Sequence, residues 1–327
     1  MLLKTFKSNR AYHFLLIPVI AVALWIKAFI HPARFAFFAG EDQMILYKPL
    51  DFLLGKNPMT DNIVALIFVI LLSFLILKLN VQYSFIRIKT FLAPLLFVLI
   101  SSGIHGLHAM HPVYPAALFL ILTIDRIFNS YEIEVIHSNA FEAGIFLAIG
   151  SLFYLNLVFF FPILLIGFSI VKQKVNWRDF ILTILGFVLP WLGAAGYYFA
   201  TNQRDELVNI LQANLVTPQI FLRGGLSIQI YIGYLILLIL LGSFLLLSQY
   251  DEKKVSTRKY FKAFFWIFLI SVILIFAVPA VSEEIMIISA IPLSYLISNY
   301  LIFMKRQTWG EVFLYLLAAG VIFLQFV

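Results

Sequence analysis

Cysteine is absent from the 327-residue chain, which removes disulfides, thiolate metal sites and cysteine nucleophiles together. Charge is scarce: Asp, Glu, Lys and Arg make up 12 % of the residues, against 63 % hydrophobic ones. So little polar sequence separates the apolar runs that no soluble domain fits between them, and residues 1–327 read as one transmembrane domain. A cleavable leader is not expected, because "MLLKTFKSNR" runs into a full-length span without a small-residue cleavage site. A glycine-rich phosphate loop is missing, and the longest loop on the basic side, "QYDEKKVSTRKYFK", is too short to enclose a nucleotide. There is also no internal repeat, which counts against a transporter built from two equivalent halves.

What the chain does have is a series of apolar runs long enough to cross ~30 Å of hydrocarbon. Eleven spans are expected, at 12–30, 63–79, 91–107, 110–128, 139–155, 156–171, 180–200, 226–248, 263–280, 285–304 and 312–326, with Asn156 marking a tight hairpin tip. If 139–171 is a re-entrant pair the number falls to nine and the sidedness of the rest is unchanged. Prolines at 18, 94, 162, 190, 279 and 292 fall within these spans and predict kinks. The fold class is therefore an all-α polytopic membrane protein.

Basic residues set the orientation. With the N-terminus inside, 17 Lys and Arg fall on the cytoplasmic segments and 5 on the opposite ones (Arg34, Lys48, Lys56, Arg204 and Arg223), with Lys27 near a helix end set aside. This bias places the N-terminus in the cytoplasm and the C-terminus outside, which in a bacterial inner membrane is the periplasm. The net charge of +7 is then a topological signal and not a nucleic-acid footprint. Two outer segments look structured. The first outer loop, 31–62, contains "EDQMILYKPLDFLLGKNP", and the loop 201–225 contains "TNQRDELVNILQANLV", with apolar residues at helical spacing after a cap at Asn202. Both read as short helices lying in the interface.

The outer face also collects the groups that could carry chemistry. Glu41 and Asp42 in "GED" can serve as a general base towards a hydroxyl, or remain solvated loop carboxylates. Glu283 and Glu284 in "SEE" lie close to hydrocarbon, which is costly unless they are solvated, paired or used. Helical neighbours diverge by about 100°, so at most one of this pair is expected to face a cavity. Arg204 and Arg223 suit bidentate phosphate binding or lipid headgroups. On the cytoplasmic side Asp125–Arg126 and "NWRD", 176–179, read as a local ion pair and a boundary turn.

"SSGIHGLHAMHP" places His105, His108 and His111 three residues apart. On a helix His105 and His108 would share a face while His111 turns away. Zinc pairs are typically spaced i, i+4, so no metal site is expected; the alternatives are hydrogen bonds to a phosphate or sugar, or interfacial packing. Gly103, Gly106 and Pro112 suggest that this helix is ending.

"AFEAGIFLAIGSLFYLNLVFFFPILLIG" followed by "NWRDFILTILGFVLPW" resembles an uncharacterised family of phenylalanine-rich polytopic inner-membrane proteins from Bacteroidetes. More distantly, the arrangement of spans and acidic first outer loop is similar to the C-type membrane glycosyltransferases. That resemblance implies a polyprenyl-phosphate sugar donor. It implies Asp42 or Glu41 as base, with Arg204, Arg223 and His105 on the lipid phosphate. The chain departs from those enzymes in having no large outer C-terminal domain. The expected function is thus a glycosyltransferase-like protein, or a subunit of one, acting outside on a lipid-linked glycan, with substrate contacts from His105, His108, Arg204, Arg223, Glu283 and Glu284. A non-catalytic membrane subunit of an envelope assembly, export or motility complex is the first alternative, and a small-solute transporter the second. Membrane lipids and other membrane subunits are the expected partners; no cofactor, nucleotide or nucleic acid is expected.

Overall fold

Away from water a backbone satisfies its own polar groups most simply as a helix. The computed structural model describes all residues except 1, 9–11, 38–39, 56, 173–174, 217–224 and 327, and no strand occurs among the described residues. α1 (Leu2–Lys7) precedes α2 (His13–Leu24), which breaks at Trp25 before α3 (Ile26–Ile30). The first loop carries α4 (Tyr47–Leu54), closed by Gly55 at a φ of 71°, a left-handed position that glycine adopts without strain. α5 (Pro58–Tyr83) starts where the Asn57 side chain accepts the Met59 N–H at 3.0 Å and Pro58 takes the first turn. α6 (Leu92–Ser101) is followed by a 3-10 turn, His105–His108, and α7 (Val113–Asn129). α8 (His137–Phe153) leads through a second 3-10 segment, Leu155–Phe160, to α9 (Phe161–Val171). Then come α10 (Trp177–Ala200), α11 (Arg204–Val216), α12 (Leu226–Ser248), α13 (Val255–Ala277), α14 (Ile285–Phe303) and α15 (Gln307–Leu324).

Each of the eleven expected spans contains helix, but among the described residues only six helices are long and apolar enough to cross a membrane: α5, α10, α12, α13, α14 and α15. The others are shorter or interrupted. The run 12–30 splits at Trp25, whose indole N–H donates to Ser102 Oγ at 2.9 Å. The run 91–107 is α-helical only as far as Ser101, and just beyond it the Tyr231 ring lies against Gly103, where a Cβ would come within 2.5 Å of it. Asn156 lies in the short connection between α8 and α9, in the second 3-10 segment, where it is buried and packed near α11. Of the six prolines, Pro18, Pro190 and Pro292 lie inside helices, Pro94 falls in the first turn of α6, Pro162 opens α9, and Pro279 follows α13.

α14 is the axis of the bundle. It packs against α6, α7, α12, α13 and α15. α8 and α10 form a second unit, joined where Gly144 and Gly186 let the two backbones approach. A Cβ at Gly144 would stand 2.4 Å from the Thr183 carbonyl oxygen, and one at Gly186 2.2 Å from that of Phe141. Segments assigned to the same side by their charges meet one another. Glu41 reaches His111, Tyr154 reaches Glu284 and Asn214 reaches Gly40 at one end. At the other end Arg87 bonds the Glu252 carbonyl and Lys259 that of Val171.

Candidate functional site

At the first-loop end a half-open cavity of about 360 Å³ lies between the loop, the end of α6 and the head of α12. Its polar lining comes from His31 and Arg34 in the loop, Asn62 on α5, His105 and His108 on the 3-10 turn, and Glu283 ahead of α14. The histidines are not on a continuing helix. In a 3-10 turn residues i and i+3 eclipse, which brings His105 and His108 edge to face at 5.1 Å. His111 lies beyond the turn in a separate, fully buried environment.

His108 is held in one tautomer. Its Nε2 donates to the Ser102 carbonyl at 3.2 Å, since a carbonyl only accepts, and its ring stacks on Trp25 at 4.4 Å. Burial, with His105 nearby, pushes the His108 pKa down to about 3, so the imidazole is neutral and Nδ1 is an acceptor. That atom is buried and has no hydrogen-bond partner. Asn62 has the same deficit: its Nδ2 donates to the Ala28 carbonyl at 2.7 Å, which leaves Oδ1 buried without a partner. Two residues that line the cavity therefore each carry a buried acceptor without a partner. Burying an acceptor unpaired costs ~1–3 kcal/mol.

Arg34 contributes less free charge than its position suggests. Its guanidinium bonds Asp61 at 2.7 Å and also Asp51, so the loop cation is tied to two loop-end carboxylates. Glu283 comes close to Gly106, where a Cβ would stand 2.8 Å from its Oε1. Glu284 turns the other way. It accepts from Tyr154 Oη at 2.9 Å, from the Ser282 N–H at 2.9 Å and from Ser282 Oγ. Glu41 and His111 lie beside it, with His111 Nε2 3.8 Å from Glu41 Oε2. Burial first, and then the Glu41 charge, hold the Glu284 carboxyl above the usual carboxylate range, against the pull of His111 and Ser282. Two adjacent glutamates thus serve two different environments.

The remaining expected residues fall elsewhere. Glu41 belongs to the inner cluster and not to the cavity wall. Asp42 is half-buried, accepting from the Gln43 amide at 3.0 Å, and does not line the cavity. Arg204 is exposed at the start of α11 and faces Asp205 at 3.7 Å. Arg223 lies outside the described residues. The helical cap expected at Asn202 is not formed: this residue takes a φ of 57° two positions before α11. Among the described residues no group of three or more His, Asp or Glu side chains could hold a metal ion. Residue-by-residue reading also missed a buried network at the opposite end. There Asp179 of "NWRD" accepts from Lys172 at 3.2 Å and lies 2.8 Å from His137 Nδ1. The only sequence signal for it is an acid three residues into a helix start.

No curated protein and no solved structure matches the chain. The profile of a family of unknown function, DUF6427, matches residues 115–327, which takes in Tyr154, Glu283 and Glu284 but starts after the histidine turn. With more than half of its length matched, the chain belongs to the family of unknown function DUF6427.

Proposed function

We propose that the protein is an inner-membrane protein, of Bacteroidetes type by its resemblance, that crosses the bilayer eleven times with the first-loop end in the periplasm. The distribution of basic residues supports this, as does the way segments assigned to one side meet only one another. At that end, in our reading, it acts on a lipid-linked glycan, as a glycosyltransferase-like enzyme or as the substrate-binding subunit of one. The pair of unpaired acceptors, His108 Nδ1 and Asn62 Oδ1, on residues that line the cavity is the observation that carries the reading. Sugar hydroxyls are the donors such a wall is short of, and a phosphate, an acceptor itself, would not satisfy it. The base is then Glu283 in place of Asp42, because Glu283 lines the cavity and Asp42 does not. Its carboxylate takes the proton of an acceptor hydroxyl whose oxygen bonds the anomeric carbon of the donor sugar. The bond from that carbon to the polyprenyl phosphate breaks, and the phosphate leaves with the electron pair.

Sugar transfer from a polyprenyl-phosphate donor in proteoliposomes tests this. Glu283→Gln is expected to fold and bind lipid as the wild type does while losing at least ~100-fold in rate. Transfer within about twofold of wild type would remove Glu283 from the mechanism. The bare flank of α10 favours a second reading, a non-catalytic subunit of an envelope complex. Native mass spectrometry separates the two: bound polyprenyl lipid supports the first, and a stoichiometric partner chain supports the second.

A further inference from the structure

A second half-open cavity, of about 530 Å³, lies between α4, the end of α8, the second half of α10 and the start of α11, and shares no lining residue with the first. Such a volume suits a small polar group with part of its apolar carrier. Leu46, Leu152, Pro190 and Ala194 supply apolar lining, and Lys48, Gln203, Glu206 and Tyr197 supply polar lining. The first loop is fixed there by its own backbone, the Leu46 N–H donating to the Leu152 carbonyl at 3.1 Å. Lys48 and Glu206 are the only charged residues among the described lining, and Nζ of the one lies 2.8 Å from Oε1 of the other. Arg204 and Asp205, beside Glu206 on α11, face each other and do not line the cavity.

The pair joins α4 to α11, but as a clamp it is weak. The two side chains are 51 % and 36 % exposed, and an ion pair so placed contributes ~0–1 kcal/mol. Nor is it saturated: the ammonium has two N–H groups left and the carboxylate a second oxygen. Gln203 spends its side-chain oxygen on Thr201 Oγ1, at 3.1 Å, and keeps its amide N–H groups. The cavity also adjoins the outward flank of α10, where Leu189, Leu192 and Phe199 are exposed. On that flank a Cβ at Gly193 or Gly196 would meet nothing within 4 Å, so the helix surface next to Ala194 and Tyr197 is shallow enough for a hydrocarbon chain to lie against it.

We propose that this cavity binds the headgroup of a zwitterionic membrane phospholipid that carries a primary ammonium beside its phosphate, with the phosphate on Lys48 and the ammonium on Glu206. Four charges then alternate in sign, and each protein ion keeps its present partner while gaining a second. Gln203 adds N–H donors for the phosphate, and the Tyr197 ring, 63 % exposed, offers a face to the ammonium. A lipid with a phosphate and no ammonium brings only like charge to Glu206, and a quaternary ammonium has no N–H to donate to it. The proposal uses neither Glu283 nor the transfer reaction, so it goes beyond the proposed function and does not rest on it.

Lipid titration of the purified protein in detergent, read by native mass spectrometry, tests this. The probes are phosphatidylethanolamine, phosphatidylglycerol and phosphatidylcholine with identical chains, and soluble phosphoethanolamine. The ethanolamine lipid is expected to bind at least ~10-fold more tightly than the other two, as one charge-assisted hydrogen bond provides. Glu206→Gln is expected to bring the three lipids within about twofold of one another, and Lys48→Gln to weaken all three. Loss of the ion pair as a mere clamp would affect the three lipids alike in both variants. A wild type that does not distinguish the lipids, or that prefers the glycerol one, overturns the proposal. So does a preference for ethanolamine that survives Glu206→Gln. Soluble phosphoethanolamine binding as tightly as the lipid would make this a site for a soluble ligand, which overturns the assignment to the membrane. No glycan is needed, so failure here is distinct from failure of the transfer reading.

Discussion

α10 and α14 have the same mean hydropathy, yet 11 % of the apolar stretch of α10 is buried in the protein and 94 % of that of α14. Hydropathy finds both as spans and cannot tell flank from axis, since lipid and protein interior are equally apolar. The distinction lies in the small polar residues. α14 carries Ser289, Ser294, Ser298 and Asn299, all buried, and Tyr295, whose hydroxyl donates to the Ile76 carbonyl at 2.6 Å. Ser289 and Ser294 donate to carbonyls of their own helix, at 3.1 and 2.8 Å, so they add no unpaired group to the core. α10 touches the rest mainly along its α8 seam, and Leu189, Leu192 and Phe199 face outward.

The contrast can be broken by mutation, most severely on the axis. Tyr295→Ala removes a fully buried ring together with its hydrogen bond, and a loss of ~3–5 kcal/mol is expected. Thermal unfolding in detergent reads it, and a change below about 1 kcal/mol would deny α14 its central place. Gly186→Ala comes next. Its Cβ would meet the Phe141 carbonyl at 2.2 Å, so the α8–α10 seam must shift, at ~1–3 kcal/mol in the same assay. Wild-type stability would show that the seam is looser than its spacing indicates. Smallest is Leu192→Ala on the outward flank, expected within about 0.5 kcal/mol. A larger loss on α10, or loss of a co-purifying chain, would mean that this flank meets protein and not lipid.

The same contrast marks what the sequence made legible. Helical spans could be found because a chain this apolar has few other ways to satisfy its backbone. Their interruptions could not, since at Trp25 and Gly103 the chain meets partners 77 and 128 positions away, Ser102 and Tyr231, that no local pattern announces. That Glu283 and Glu284 would part company could be anticipated from helical geometry, although the two in fact separate in the turn just before α14. The destination of Glu41 could not: an acid in an outer loop reads as solvated, and only the folding of Phe35, Phe37 and Tyr47 over His111 buries it. Arg34, the loop cation that does line the cavity, was hidden because its partners Asp51 and Asp61 follow no local spacing rule.

α15 is tied to the first third of the chain at both of its ends. At one end the Glu311 carboxylate accepts the N–H groups of Leu3 and Lys4, each at 3.2 Å, supplying the partners that a helix start lacks. At the other, the Gln325 amide donates to the Ser102 carbonyl at 2.8 Å, the same oxygen that fixes His108. The Ser102 carbonyl therefore gains its second donor only after α15 has been synthesised, so the last helix of the chain completes a bond set that begins at the histidine turn.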